Sequence, residues 1–518
     1  MPKTPSSKLF DIIQSLSGPE KRYFKLFVRS NKSDKDNKYI QLFDAIDAQT
    51  SYDDEALRQQ IYKGQPIQSR KFSELKSYLY DLILKCLQSY DEKSSIDFRL
   101  KSHLQSVKVL YKRAHYQDCA ELVQKAKKMA ISFESFNHLL ELLRWEKQVA
   151  YIQLDISYLD KKLPDIQAQE KDCLSKLANI ADYKNFFYRI IVSIRKDSLL
   201  RSEEKIEKLN QLMEYDLLTS PDKALSHTAR VLYHRIYGLF YFSTLSYDKL
   251  YGSGKQLLSL MESRPALLKE DPSEYISALS NFAACCGLLE KYDEVKECLE
   301  KMRRIKGTTL NDELRIHMEY YSKLFALCIF TGDFEAAQKA MLEHQSELKR
   351  FDKKFFERGR FYFQYFYIYF GIGDFDQALE ALNQWLNLPR SVERQDLQSL
   401  ARILNLILHF EMGNTLLLEY LLRSTYRYLR TRNRIHGFER RVLAFIRESN
   451  KFKSRQELKQ GFVQLKQSFE ELAQIPSEKV VFQYFDFIAW LDSKIRNIPF
   501  QEVVRERYLD QTTADEGK

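Results

Sequence analysis

"LFALCIFTGDFEAAQKAM" (residues 324–341) and "YFYIYFGIGDFDQALEAL" (residues 365–382) align without a gap. In each, an apolar segment leads into Gly332-Asp333-Phe334 or Gly373-Asp374-Phe375, and an Ala-rich segment follows, with Ala337 and Ala378 three residues after the Phe. That order reads as helix, turn, helix. Glycine supplies the left-handed connector conformation, and the aspartate after it can accept a hydrogen bond from a free N–H at the start of the second helix. The Phe packs back on the first helix, and the small Ala lets the two helices approach.

The pattern extends in both directions. "AACCGLLEKYDEVKECL" (residues 283–299) puts Tyr292 in the Phe position, and Gly413-Asn414 puts Thr415 there. The anchors Tyr292, Phe334, Phe375 and Thr415 are separated by 42, 41 and 40 residues. Self-similarity at this spacing predicts stacked helical hairpins, each too small to bury its own face alone. Weaker echoes at Tyr116, Tyr158 and Tyr247 extend the predicted array over residues 93–435.

These residues resemble the tetratricopeptide (TPR) family, whose turn reads Gly-Asp-Phe/Tyr-x-x-Ala between paired helices. The resemblance is densest over residues 273–430. It departs from the family in a longer period, in the lack of the usual proline between repeats, and in Phe325 and Phe366 at a first-helix position where the family has a small residue; only Ala283 keeps it. It implies an all-α, TPR-like solenoid with a period of about 40–45 residues. The chain is also similar to a group of Bacteroidota helical-repeat proteins that carry segments like "SLSGPEKRYFKLF" (residues 15–27) and "YFDFIAWLDSKI" (residues 484–495), a resemblance that implies no activity.

Composition agrees with long helices. The 518 residues contain only 15 Gly and 11 Pro, too few for many sheet turns. The seven cysteines follow no repeated spacing and read as buried thiols. There is no apolar run of membrane-spanning length and no signal-peptide pattern, so a cytoplasmic location and no membrane partner are expected.

Eight of the ten residues from Phe361 to Phe370 are aromatic. Phe361, Tyr362, Tyr365, Phe366, Tyr369 and Phe370 form one wide helical stripe, with Phe363 and Tyr367 off it, and a helix with rings on nearly every side belongs between neighbours. The segment is about half the length a membrane span needs.

The two ends read differently. Residues 1–92 form a predicted helical domain in which a capping box, Ser17 with Glu20, opens the helix of Tyr23, Phe24, Phe27 and Val28. A DNA-binding winged-helix variant is an alternative there, but a net charge of only +3 over residues 1–100 favours a cap or docking domain. Residues 436–518 read as a C-terminal cap: two helices, the second carrying Val481, Tyr484, Phe485 and Ile488 on one stripe, then a frayed polar tail.

Motifs that carry chemistry are scarce. In "YGSGKQLL", Gly252, Gly254 and Lys255 lack the spacing and the following Ser or Thr of a phosphate loop. His227 and His234 have no carboxylate or Cys at metal-ligand spacing. No catalytic residue, cofactor or metal is therefore expected, and a non-enzymatic interaction scaffold is the leading expectation.

Charge singles out one place. Residues 420–455 hold eleven Lys or Arg against Glu439 and Glu448, a net +9 of the chain's +10. Steps of four, three and four put Arg423, Arg427, Arg430 and Arg434 on one predicted helix face with Tyr426 beside them, opposite Leu418, Leu421, Leu422 and Leu429. These five, Arg423, Tyr426, Arg427, Arg430 and Arg434, are the candidate partner-binding residues. A solvated outer face gives the same pattern. As a site it would take a protein or peptide of acidic character, or alternatively nucleic acid in a regulator.

Overall fold

The structure, a computed structural model, describes residues 7–31, 38–62, 69–91, 95–196, 203–307, 309–348, 351, 360–387, 395–432, 435–449 and 451–516. Helices make up nearly all of them, and no strand occurs among the described residues. Helices adjacent in sequence pack on one another, for example Tyr116–Ser132 on Phe136–Ile152, His227–Ser243 on Tyr247–Glu262, and Arg360–Ile372 on Phe375–Leu386. The chain divides into two compact units, Met1–Ile180 with Arg264–Asp271 and Gly307–Glu313, and Ala181–Ser263 with Pro272–Lys306 and Leu314–Lys518.

One turn recurs throughout. Gly332, Gly373 and Gly413 have φ of 71°, 83° and 70°, and Ala114, Glu134, Leu154, Leu245 and Glu290 take the same left-handed position at 51° to 60°. In each case the next residue donates its N–H five residues back, as Asp333 does to Cys328 O (2.9 Å), Lys291 to Cys286 O (2.8 Å) and His115 to Leu110 O (3.1 Å). This is the six-to-one bond of a Schellman ending, which satisfies a helix carbonyl and starts the next helix at once. Asp333 and Asp374 cap as expected, accepting from Ala336 N (3.1 Å) and Gln377 N (3.2 Å). Asn414 makes no such cap; its side-chain amide meets His409 Nδ1 at 3.2 Å.

Ala114 and Leu245 put Tyr116 and Tyr247 in the anchor position, two residues on, as the sequence suggests. The third echo is misplaced. The turn is at Leu154, so Ile156 and not Tyr158 starts the next helix, and Tyr158 instead bonds Glu146 (2.6 Å). An additional turn at Glu134 starts the helix at Phe136.

In the first unit, helices Lys8–Ser15, Gly18–Asn31, Lys38–Asp47, Asp54–Tyr62 and Ser69–Asp91 share one core around Phe24, Phe43, Leu57, Phe72 and Ile83. The capping box forms: Glu20 accepts from Ser17 N (2.7 Å), and Ser17 Oγ accepts from Glu20 N (3.5 Å). A second core lies over residues 96–173 around Leu100, Val123, Leu142 and Leu143.

The second unit's core is aromatic, and its centre is helix Arg360–Ile372. Phe366 is fully buried, with Phe361, Tyr365 and Phe370 nearly so. Tyr367, off the expected stripe, is buried too, while Tyr362 and Tyr369 are only half-buried. The cause is a layer from the far end of the chain. Phe485 lies 4.8 Å from the Tyr367 ring and 5.0 Å from Phe370, Phe500 stacks on Phe485 at 5.8 Å, and Tyr367 Oη accepts from Asp486 N (2.9 Å).

That layer is not the helix pair the sequence suggested. Residues 476–496 break into Pro476–Lys479, a 3₁₀ turn Val480–Gln483, and Phe487–Arg496, whose start Asp486 caps by accepting from Ala489 N (2.7 Å). Val481, Tyr484, Phe485 and Ile488 therefore share no single helical stripe. The polar tail is not frayed at its start either: helix Phe500–Glu516 takes in most of it. This last helix runs over the recurring turns, with Tyr508 against Tyr292 (5.4 Å), the Arg505 backbone beside Gly332, and Phe500 against Phe334 (5.9 Å).

Candidate functional site

Helix Thr415–Arg430 follows the turn at Gly413 and carries the predicted arginine face. Leu418, Thr425 and Leu429 are buried and Leu421 and Leu422 half-buried, which fixes the opposite side to solvent. Arg423, Tyr426, Arg427 and Arg430 are all exposed on that side. Arg434 lies outside the described residues, and the helix ends at Arg430, so three of the four arginines share the helical face.

The same face begins with apolar groups that charge counting missed. Leu416 is 91% exposed and Tyr420 is 70% exposed, and steps of four, three, four and three align Leu416, Tyr420, Arg423, Arg427 and Arg430. A run of leucines at a helix start reads as core; only the three-dimensional register shows which of them is left bare. Leu416 borders an open cleft of about 520 Å³, lined also by Phe410, Leu418, Leu458, Glu419 and Ser449.

Helix Gly437–Ser449 packs beside Thr415–Arg430 and adds exposed Arg440, Arg441 and Arg447. Two of the acids nearby are committed elsewhere, while Glu448 and Glu419 stay exposed. Glu439 is buried and accepts from His436 N (3.0 Å), and Glu478 accepts from Gly437 N (2.8 Å) and Phe438 N (3.3 Å) at the helix start. Among the described residues, none of Arg423, Arg427, Arg430, Arg440, Arg441 or Arg447 has an ion-pair partner. The result is a surface of guanidiniums that make no ion pair among the described residues, with exposed Glu419 and Glu448 at its edge and a cleft of mixed polar and apolar lining beside it.

Other candidates resolve into packing. Gly252 and Gly254 sit inside helix Tyr247–Glu262, and a Cβ on Gly254 would lie 2.6 Å from the Phe282 ring, so this glycine permits a close helix approach. Lys255 pairs with Glu294 (3.5 Å). His227 and His234 are half-buried on helix His227–Ser243. All seven cysteines are buried and unbridged, and burial pushes the Cys86 and Cys285 thiols up to about 11 and those of Cys298 and Cys328 to about 12. In the first unit, a cleft of about 730 Å³ lies over Glu146. Burial acts to raise that carboxyl, but hydrogen bonds from Lys127, Tyr158 and Gln124 hold it below its ordinary value, so it is a satisfied structural acid.

Among the described residues, no group of three or more His, Cys, Asp or Glu is placed to hold a metal ion, and no helix is long and apolar enough to cross a membrane. No protein-family model matches the chain, and none of the curated proteins matches it in sequence.

Proposed function

We propose that this chain is a non-enzymatic scaffold of stacked helical hairpins, TPR-like in architecture, that holds an acidic segment of a protein partner along helix Thr415–Arg430. The observation that carries the reading is the bare stripe from Leu416 through Tyr420 to Arg423, Arg427 and Arg430, which starts at a cleft holding Phe410, Leu418 and Leu458 among polar neighbours and ends in guanidiniums with no ion pair among the described residues. A segment with a bulky apolar residue followed by carboxylates matches it in both chemistry and order. The cleft takes the apolar anchor, and the arginines make bidentate contacts with the acids. Phosphates would satisfy the arginines equally well but give Leu416 and its cleft nothing to bind. That asymmetry favours protein over nucleic acid.

The test uses the full chain, a fluorescein-labelled peptide with a leucine pair followed by a run of glutamates, and a labelled mixed-sequence oligonucleotide. In anisotropy titrations the peptide should bind, and replacing Arg423, Arg427 and Arg430 by Ser should weaken it about tenfold and flatten its salt dependence. Tighter binding of the oligonucleotide than of the peptide, lost in the same variant, would replace this reading with a nucleic-acid-associated regulator.

A further inference from the structure

Beside the exposed stripe lies a group of cations of a different kind. The Tyr428 ring has the Arg402 guanidinium 4.1 Å from its centroid and that of Arg432 at 4.0 Å, so the two charges are at most about 8 Å apart. Tyr428 Oη donates to Gln398 Oε1 (3.2 Å). Arg402 and Gln398 come from helix Gln395–Glu411, Tyr428 from helix Thr415–Arg430, and Arg432 from just beyond its end.

One guanidinium on a tyrosine face is an ordinary packing device. Two cations share one ring at Tyr251 as well, where Lys255 and Lys291 lie 4.8 and 5.0 Å from the centroid, but there Glu294 stands 3.5 Å from Lys255 as a counter-charge. The pair on Tyr428 lacks what such cations normally have. Arg402 is half-buried, its Nε is closed off from solvent, and none of its N–H groups has an acceptor among the described residues. Arg432 has only a long contact to Thr431 Oγ1 (3.5 Å). Neither has a carboxylate within ion-pair reach among the described residues. Helix Gln395–Glu411 is mostly apolar where it is covered, with Ile403, Leu404, Leu406, Ile407 and Leu408 at 0% exposure, though Ser399 and His409 are buried too. Two guanidiniums on one ring, with no acceptor for Arg402 and no carboxylate in reach of either among the described residues, leave donors free for an oxyanion.

We infer that Arg402 and Arg432, held on the Tyr428 ring, form an oxyanion site that takes a carboxylate of the acidic partner segment, beyond the Arg430 end of the exposed stripe. The ring keeps both guanidiniums in place, so little side-chain freedom is lost on binding. The site fixes where the segment ends, whereas the exposed arginines supply steering. The inference rests on the acidic-segment reading for the identity of its anion, but it concerns different residues, and the two can fail separately.

The experiment titrates the same labelled glutamate peptide, with inorganic phosphate as competitor, into the parent chain, Arg432→Ser, the double variant Arg402→Met with Arg432→Ser, and the Arg423, Arg427 and Arg430 triple variant. Arg432 is exposed, so its replacement leaves the fold intact and keeps the test valid if Arg402→Met destabilises the protein. Arg432→Ser should weaken the peptide several-fold and the double variant about tenfold or more. Unchanged affinity in both Arg432→Ser and the double variant, with loss in the triple variant, overturns the oxyanion site and leaves the scaffold reading standing. Loss in the double variant with none in the triple supports the site and overturns the role of the exposed stripe. Displacement of the peptide by phosphate well below the concentration that acts through ionic strength would assign the site to phosphate and overturn the carboxylate.

Discussion

Helices Arg360–Ile372 and Thr415–Arg430 each flank one of the recurring turns, yet one is covered on nearly every side and the other keeps a bare face. The difference lies in what arrives from the rest of the chain. Phe485 and Phe500 close over the first, so rings on the far side of its apolar stripe, Tyr367 above all, become core. No such layer reaches the second, and its outward positions are Arg423, Arg427 and Arg430 with Leu416 and Tyr420. Aromatic density in this chain therefore marks where a third layer lands, and arginine density marks where none does.

The largest effect should come from the covered helix. Phe366 is fully buried between Phe363, Phe370 and Phe485, and Phe366→Ala should cost about 3–5 kcal/mol in chemical denaturation. A cost below about 1 kcal/mol would mean that the layer over it does not pack as described.

Two glycines sharpen the same contrast. Gly332 and Gly373 have the same left-handed backbone, so Ala at either loses about 1–2 kcal/mol to strain. A Cβ on Gly332 would also lie 2.6 Å from Arg505 N and 2.8 Å from its Cα, whereas one on Gly373 meets nothing within 4 Å. Gly332→Ala should therefore exceed Gly373→Ala by a further 1–3 kcal/mol, roughly the cost of overpacking. Removing the chain after Arg496 should erase that excess. Equal costs in the full chain would contradict the docking of helix Phe500–Glu516 over this turn.

Acid should loosen the covered region first. His344 has no exposed surface and stacks on His317 at 4.8 Å; burial, and then the neighbouring His317, push it down to about 3 from an ordinary 6.5. Its depressed value means that the unfolded chain binds a proton the folded chain refuses. Stability is unaffected above about pH 6.5 and falls as pH drops from there toward 3, by up to about 1.4 kcal/mol per pH unit for this one group. His234 and His409, also lowered by burial, act with the same sign. His344→Phe should flatten the acid limb of a stability profile, and an unchanged slope would place a charged histidine in the core.

The turn chemistry was legible because it is local. Gly332-Asp333, Gly373-Asp374 and the Ser17–Glu20 box act through bonds spanning a few residues, and they form as read. Non-glycine residues at the same turn, such as Glu134 and Leu154, carry no such signature, which is why Phe136 is passed over and the anchor at Ile156 reads as Tyr158. The partition of helix Arg360–Ile372 was not legible at all, since Phe485 and Asp486 lie more than a hundred residues away in sequence. At the candidate site, charge spacing found Arg423, Arg427 and Arg430. It passed over Leu416 and Arg402, because exposure of a leucine and contact between an arginine and a distant tyrosine are properties of the packed chain.

The smallest expected effect is on the bare helix. Replacing Arg423, Arg427 and Arg430 by Ser removes like-charge pairs at i,i+4 and i,i+3, each worth about 0.2–0.5 kcal/mol of repulsion. It also gives up the favourable placement of Arg427 and Arg430 in the last turn, about 0.3–1 kcal/mol against the helix dipole, and exchanges good helix formers for a poorer one. These contributions oppose one another, and no ion pair among the described residues is broken. The triple variant should unfold within about 0.5 kcal/mol of the parent in moderate salt, and its stability should respond less to added salt, because the parent's unpaired charges are the ones that salt screens. A loss of about 2 kcal/mol or more would show that the arginines hold the fold, and the contrast between a covered and a bare helix would then be wrong at its bare end.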